Sequence, residues 1–231
     1  MKLSAPIYRL KRKAKLLARQ ESIPLHEALN RIAGQEGFGS WSLLVAKLSA
    51  SMPGRELFRR LKPGDFMLVA ARPGHGKTLM CLELAVEAIK AGHRSAFFTL
   101  EYTERDVLEH LRDIAGNSPE VLGRFDLHCS DAVSAEYILE TLASAPRGTF
   151  VVIDYLQLLD QKRQNPELSI QVNALKSFAS ERGLIMACLS QIDRSYDPAK
   201  KPCPDLSDVR LPNPVDLKLF NTTCFLNEGT V

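Results

Sequence analysis

The residues from Ala71 to Thr78 read Ala-Arg-Pro-Gly-His-Gly-Lys-Thr, set between an apolar run and a helix-like stretch. Gly74 and Gly76 let backbone N–H groups turn inward around a phosphate. The start of a helix adds the positive end of its dipole. Lys77 is placed to reach the β- and γ-phosphates of a nucleoside triphosphate, and the Thr78 hydroxyl to ligate Mg2+. The expected nucleotide-binding residues are therefore Arg72, Pro73, Gly74, His75, Gly76, Lys77, Thr78 and Leu79. The usual phosphate loop has glycine six residues before the lysine, where this chain has Ala71. His75 is expected to face solvent, and Cys81 to pack as a small apolar side chain.

Triphosphate hydrolysis also needs a carboxylate near the metal and a group that orients water. Phe150-Val-Val-Ile-Asp154 is an apolar strand ending in a carboxylate, so Thr78 and Asp154 form the expected metal pair. Ala96-Phe-Phe-Thr-Leu-Glu101 ends in a second acid, 24 residues after Lys77, a gap that fits one helix and one returning strand. Leu184-Ile-Met-Ala-Cys-Leu-Ser-Gln191 ends in an amide that can register a γ-phosphate. Lys77, Glu101 and Gln191 are the expected catalytic residues. Three polar strand ends gathered at one sheet edge count against a small-molecule kinase, and no acceptor pocket is evident.

The elements that must position these residues alternate. Apolar runs at 66–70, 95–100, 149–153 and 184–189 predict strands, with a shorter one at 124–128 and a last one over 217–226. Helical spacing predicts helices over 78–91, 103–116, 134–144 and 166–182, with Asp106 completing a capping box on Thr103. The alternation predicts an α/β fold: a mostly parallel sheet with helices on both faces. Residues 1–52 read differently, as a small basic all-α module with helices over 8–20, from Pro24 onward, and over 41–48 after a Ser40 cap. Leu10, Leu16 and Leu17 are expected on the apolar side of the first. Ser49 to Gly54 reads as a linker, leaving 53–231 as the second domain.

The chain has 231 residues, 45% hydrophobic and 25% charged, enough for a real core and unlike a disordered protein. The net charge is only +3, yet the first twenty residues hold seven Lys/Arg and no acid. That segment suits DNA phosphates, an acidic partner or a solvated face. Five scattered cysteines without zinc spacing are expected to be reduced thiols. No run approaches membrane-span length and no apolar signal core follows the basic start, so a cytoplasmic location and no membrane partner are expected.

In order and spacing, Ala71–Thr78, Thr99-Leu-Glu101, Val152-Ile-Asp-Tyr-Leu-Gln-Leu-Leu159 and Leu189-Ser-Gln-Ile-Asp-Arg-Ser195 resemble the RecA-like motor domain of DnaB-type replicative helicases. The resemblance covers about residues 60–228, and Ser207-Asp-Val-Arg210 resembles that family's Ser-Asp-Leu-Arg. It implies a RecA-like P-loop NTPase fold, with ATP and Mg2+ as cofactors. It also implies Glu101 as activator of water, Asp154 as support for the metal, and Gln191 as the coupler to DNA-contacting loops. Arg194, Lys200, Lys201 and Arg210 are then the candidate phosphate contacts on single-stranded DNA. Such motors assemble as rings or filaments, and the family carries a further basic segment that enters the neighbouring subunit's site as an arginine finger. No such segment is found before Val231, so slow hydrolysis, or a partner that supplies the finger, is expected. Gly37-Phe-Gly-Ser-Trp41 resembles a short element of small modules on mobile-element proteins, in which Trp41 is expected to be core.

The function expected from the resemblance is a Mg2+-dependent ATPase of DnaB helicase type. The alternative is a non-motor nucleotide-binding regulator or accessory module of a helicase or DNA complex.

Overall fold

The computed structural model describes residues 3–5, 7–41, 43–44, 53–130, 133–156, 159, 165–197, 201, 203–210 and 213–226. The chain divides into two compact units, Met1–Pro53 and Gly54–Val231.

The first unit is helical. Helix α1 (Ile7–Glu21) and helix α2 (Leu25–Gln35) pair through Leu10, Ala14, Ala28 and Ile32, all buried. The two alanines leave room for close helix approach. Pro24 stands just before α2, where its missing N–H costs nothing. Trp41 packs partly buried against this cluster, and its backbone N–H donates to Asn30 Oδ1 at 3.0 Å. Ser40 Oγ accepts from Leu43 N at 3.2 Å, a local cap. The helix expected over 41–48 lies largely outside the described residues. One expectation fails: Leu16 is 50% exposed. Leu10, Ala14 and Leu17 share one helical face by their spacing of four and three; Leu16, six residues on from Leu10, falls on the other side.

The second unit is built on a six-stranded sheet: β1 (Phe66–Ala71), β2 (Ser95–Thr99), β3 (Phe125–His128), β4 (Phe150–Asp154), β5 (Ile185–Gln191) and β6 (Thr222–Leu226). Their order is β3-β2-β4-β5-β1-β6 and every pair is parallel. Every residue of β1, β2 and β4 is buried, as sequences without polar alternation require when helices cover both faces. On one face Met67, Val69, Phe97 and Val152 meet helix α4 (Lys77–Lys90), which follows helix α3 (Pro53–Arg60) in the chain, together with helices α5 (Glu104–Ala115) and α6 (Pro119–Arg124). On the other, Phe66, Leu68, Phe98 and Val151 meet helices α7 (Ala135–Thr141) and α8 (Leu168–Arg182). The capping box on α5 forms, with Thr103 Oγ1 accepting from Asp106 N and the Asp106 carboxylate accepting from Thr103 N.

Two boundaries differ from expectation. The last strand begins only at Thr222, because Leu217–Leu219 turns as a short 3-10 helix capped by the Asp216 side chain. The stretch expected as linker ends in α3, whose Leu57 and Phe58 pack on the first core layer; the Phe58 ring meets Phe150 edge-on at 6.1 Å.

Candidate nucleotide site

Strand register brings the chemistry to one edge. Thr99 of β2 lies level with Asp154 of β4, and Ala71 of β1 lies level with Gln191 of β5. The loops that leave these four ends are the carboxyl-edge loops, where open parallel sheets bind ligands.

After β1 the chain turns through Arg72–His75, with His75 N donating to Arg72 O at 3.1 Å, and enters α4 at Gly76. Gly74 and Gly76 have φ of +77° and +91°, which disfavour any side chain, and the space a methyl group would occupy at either is open. The loop therefore presents bare backbone rather than side chains, as close approach of a phosphate requires. Gly76, at the α4 N-cap, offers no side chain to the first N–H groups of the helix, the groups that a phosphate at this position would meet. Lys77 and Thr78 are buried at the base of the loop, Arg72, His75 and Leu79 are half-buried, and Pro73 and Gly74 are exposed.

The Thr78 hydroxyl donates to Asp154 Oδ2 at 3.0 Å across 76 residues of sequence. Asp154 is fully buried, and its Oδ1 has no hydrogen-bond partner among the described residues. Burial lifts this carboxyl to about 7, and Glu101 adds repulsion; the Thr78 hydrogen bond and Lys77 oppose the rise. Buried polar atoms are normally satisfied, so a bare carboxylate oxygen beside a lysine and a hydroxyl is a place made for something else. A hydroxyl, one carboxylate and nucleotide phosphates form a fitting donor set for Mg2+, which seldom takes an all-protein cage.

Glu101 is exposed just past β2, its backbone N–H held by Thr99 Oγ1 at 3.1 Å. Sequence reasoning gives Thr99 no role of its own, although a hydroxyl two residues before the acid is an available signal. Cys81 lies fully buried one turn beyond Thr78, and burial and Asp154 raise its thiol well above the ordinary range.

Gln191 is half-buried at the end of β5. Its carbonyl accepts from Arg210 N at 2.7 Å, while Ile192 bridges antiparallel to Val209 and donates to Ala71 O at 3.0 Å. Asp193 N donates to Asp208 O at 2.7 Å. The segment around Arg210 is thus tied by main chain to the end of the strand that carries Gln191. Arg194 and Arg210 are exposed and both lower the Asp193 carboxyl, after the dominant hydrogen bonds from Ser195. Lys201 is bound to Asp205 Oδ2 at 2.7 Å and Asp208 Oδ2 at 2.6 Å. Lys200 lies outside the described residues.

The parallel sheet, the loop after its first strand and the Thr78–Asp154 contact define a P-loop NTPase of RecA-like fold. The chain belongs to the DnaB-like helicase C-terminal domain family, whose model matches residues 55–118 and 134–215. A probable plasmid replicative DNA helicase of Chlamydia trachomatis is 30% identical over 184 residues, 65% of this chain and 40% of that protein. The replicative DNA helicase DnaB of Geobacillus stearothermophilus is 26% identical over 178 residues, 63% of this chain and 39% of that protein. The chain therefore spans about two-fifths of the length of these relatives. Two solved structures share the fold at 24% identity and TM-score 0.54. One, described as an ATPase domain, matches 72% of this chain and 75% of that one. The other, a DnaB-like replicative helicase described with its interactions with primase, matches 88% and 63%. No helix among the described residues is long and apolar enough to cross a membrane.

Proposed function

We propose that residues 54–231 bind ATP with Mg2+ and hydrolyse it as the motor of a DnaB-type helicase working on single-stranded DNA. The observation that carries this reading is the Thr78–Asp154 hydrogen bond at 3.0 Å beside a buried lysine, with the other Asp154 oxygen lacking a hydrogen-bond partner among the described residues. When bound, the metal supplies positive charge to the β- and γ-phosphate oxygens. Lys77 and the loop N–H groups hold the phosphates, and Thr78 and Asp154 hold the metal. Glu101 orients the attacking water and accepts its proton. Gln191 meets the γ-phosphate, and its main-chain tie to Arg210 carries the loss of that phosphate into the loop bearing Arg194 and Arg210. A cation that completes the site comes from a neighbouring copy, in which case self-association accompanies turnover, or from a partner.

The test is phosphate release from ATP with and without Mg2+ and single-stranded DNA, beside Lys77→Ala and Glu101→Gln. DNA-stimulated turnover lost in both variants is expected. ATP binding abolished by Lys77→Ala, with no turnover under any condition, would overturn the motor in favour of a nucleotide-controlled regulator.

A further inference from the structure

The motor reading leaves the first unit without a task, and its surface charge is lopsided. Helix α1 carries Arg9, Lys11, Arg12, Lys13, Lys15 and Arg19 against one acid, Glu21. Leu10, Ala14 and Leu17 point its apolar side into the small core, which sends Arg12, Lys15 and Arg19 to the opposite side. These three lie three and four residues apart, so they form a single row about 10 Å long at 1.5 Å per residue. Neither Arg12 nor Arg19 has an ion-pair partner among the described residues. Three acids of the unit are engaged elsewhere: Glu21 and Glu27 both bind Arg31, at 2.6 and 2.8 Å, and Glu36 accepts from the Ser4 backbone and hydroxyl. An amphipathic helix whose outer face is a row of cations, with these carboxylates held by other groups, is matched in charge by a regular line of anions.

We propose that the outer face of α1 is a duplex-DNA docking surface, gripping one phosphate rail through Arg12, Lys15 and Arg19. Duplex DNA is favoured over a single strand by charge density, and the apolar groove of about 470 Å³ beside the row, lined by Ala18, Ile23 and Leu25 with Lys15 and Arg19, offers contact for deoxyribose. A duplex carries one charge per ~1.7 Å of its axis, the denser line of anions. The surface would hold unopened duplex while the second unit acts on the separated strand, and its existence does not depend on ATP hydrolysis.

The test uses the full chain without nucleotide and a fluorescein-labelled 20-base-pair duplex of arbitrary sequence, titrated from about 50 to 200 mM salt, where phosphate contacts weaken steeply. The Arg12→Gln/Arg19→Gln variant keeps both positions helix-forming and outward-facing, and circular dichroism checks its fold. Loss of at least about tenfold in duplex affinity is expected, with the log–log salt slope falling by about 2, near 0.9 per phosphate contact removed. Unchanged affinity and slope would overturn the proposal. So would an equal loss on a 20-base single strand, which would move the site to single-stranded DNA, or equally tight binding of polyglutamate of matched charge, which would make it a protein-docking face. Lys77→Ala, which disables the motor reading, is expected to leave nucleotide-free duplex binding within twofold; if it abolishes it, the proposal fails.

Discussion

Glu83 is the most informative single position for stability. It sits half-buried on α4, five residues beyond Thr78, where α3 closes over it: a methyl group at Gly54 would lie 3.2 Å from its Cβ and 3.3 Å from its Oε2. Glu87, one turn on, is already served by Lys90 at 2.7 Å and by Arg55 at 3.9 Å, and it faces Glu83 as a like charge. Burial first, and Glu87 second, lift the Glu83 carboxyl from the ordinary 4.5 to about 7. The folded protein therefore holds this proton more tightly than the unfolded chain. The stability that goes with it is complete below pH 4.5, is lost as pH rises toward 7, and stays lost above. At 1.36 kcal/mol per tenfold change in proton affinity, the full loss is about 3 kcal/mol, an upper bound for a half-buried group. Glu83→Gln keeps the shape and removes the charge. Urea unfolding of the ligand-free chain at pH 8.5 should show a gain of about 1–3 kcal/mol, and at pH 4 no gain or a slight loss for a less well-paired amide. An equal gain at both pH values would mean that packing, not charge, is relieved. A loss at pH 8.5 would mean that the carboxylate has a partner that stabilises it, and the reasoning would be wrong.

Other consequences follow from the site. Thr78→Val removes the only hydrogen bond that the described residues give a fully buried carboxylate. It should cost about 1–3 kcal/mol in urea melts along with Mg2+-dependent turnover, whereas Thr78→Ser should preserve both. Asp154→Asn should abolish hydrolysis yet make the ligand-free chain no less stable in thermal melts at pH 8, since it removes a charge that burial penalises; a fall in melting temperature would contradict this. Gly76→Ala adds a methyl group in open space but at φ +91°, so it should cost about 1–2 kcal/mol from backbone strain alone, and nucleotide affinity read by fluorescent-ATP titration should fall. Asp208→Asn withdraws a carboxylate from Lys201 and from Asp205 N, and single-stranded DNA should then stimulate turnover less, with unstimulated turnover unchanged.

What is legible in the sequence is what is local. Gly74, Gly76, Lys77 and Thr78 are neighbours in the chain, and the geometry asked of them, a tight turn at a helix start, is formed within one turn. Asp154 and Glu101 are legible because a buried strand that ends in an acid is a local event too. The partnership of Thr78 with Asp154 is not: the two meet because a single strand, β5, separates β1 from β4 and the helix that leaves β1 packs over the sheet. That is a matter of strand order, which no window of residues contains. Apolar spacing misses α6, although Ser118 and Pro119 spell a helix start, with the Ser118 side chain accepting from Val121 N. At α3 the sequence points toward a turn, since Pro53 and Gly54 resemble one; Leu57 and Phe58, by packing on the sheet, decide for a helix. Lys201 reads as a cation open to DNA because its two acids, four and seven residues on, belong to a turn with no regular period.

The strand order also sets a timetable. β1, which launches the Gly74–Gly76 loop, has β5 and β6 for neighbours, and β5 begins at Ile185, more than a hundred residues later in the chain. A ribosome that has released the loop, its helix and the Asp154 strand has made Lys77, Thr78 and Asp154 without the strand that anchors β1 in the sheet and carries Gln191. A ligand held at this sheet edge cannot act as an early folding template; it stabilises only the nearly finished domain. Non-local pairing of this kind is slow and leaves apolar strands waiting. Overproduction should strain the chain most between synthesis of β4 and β5, where chaperone occupancy would be read.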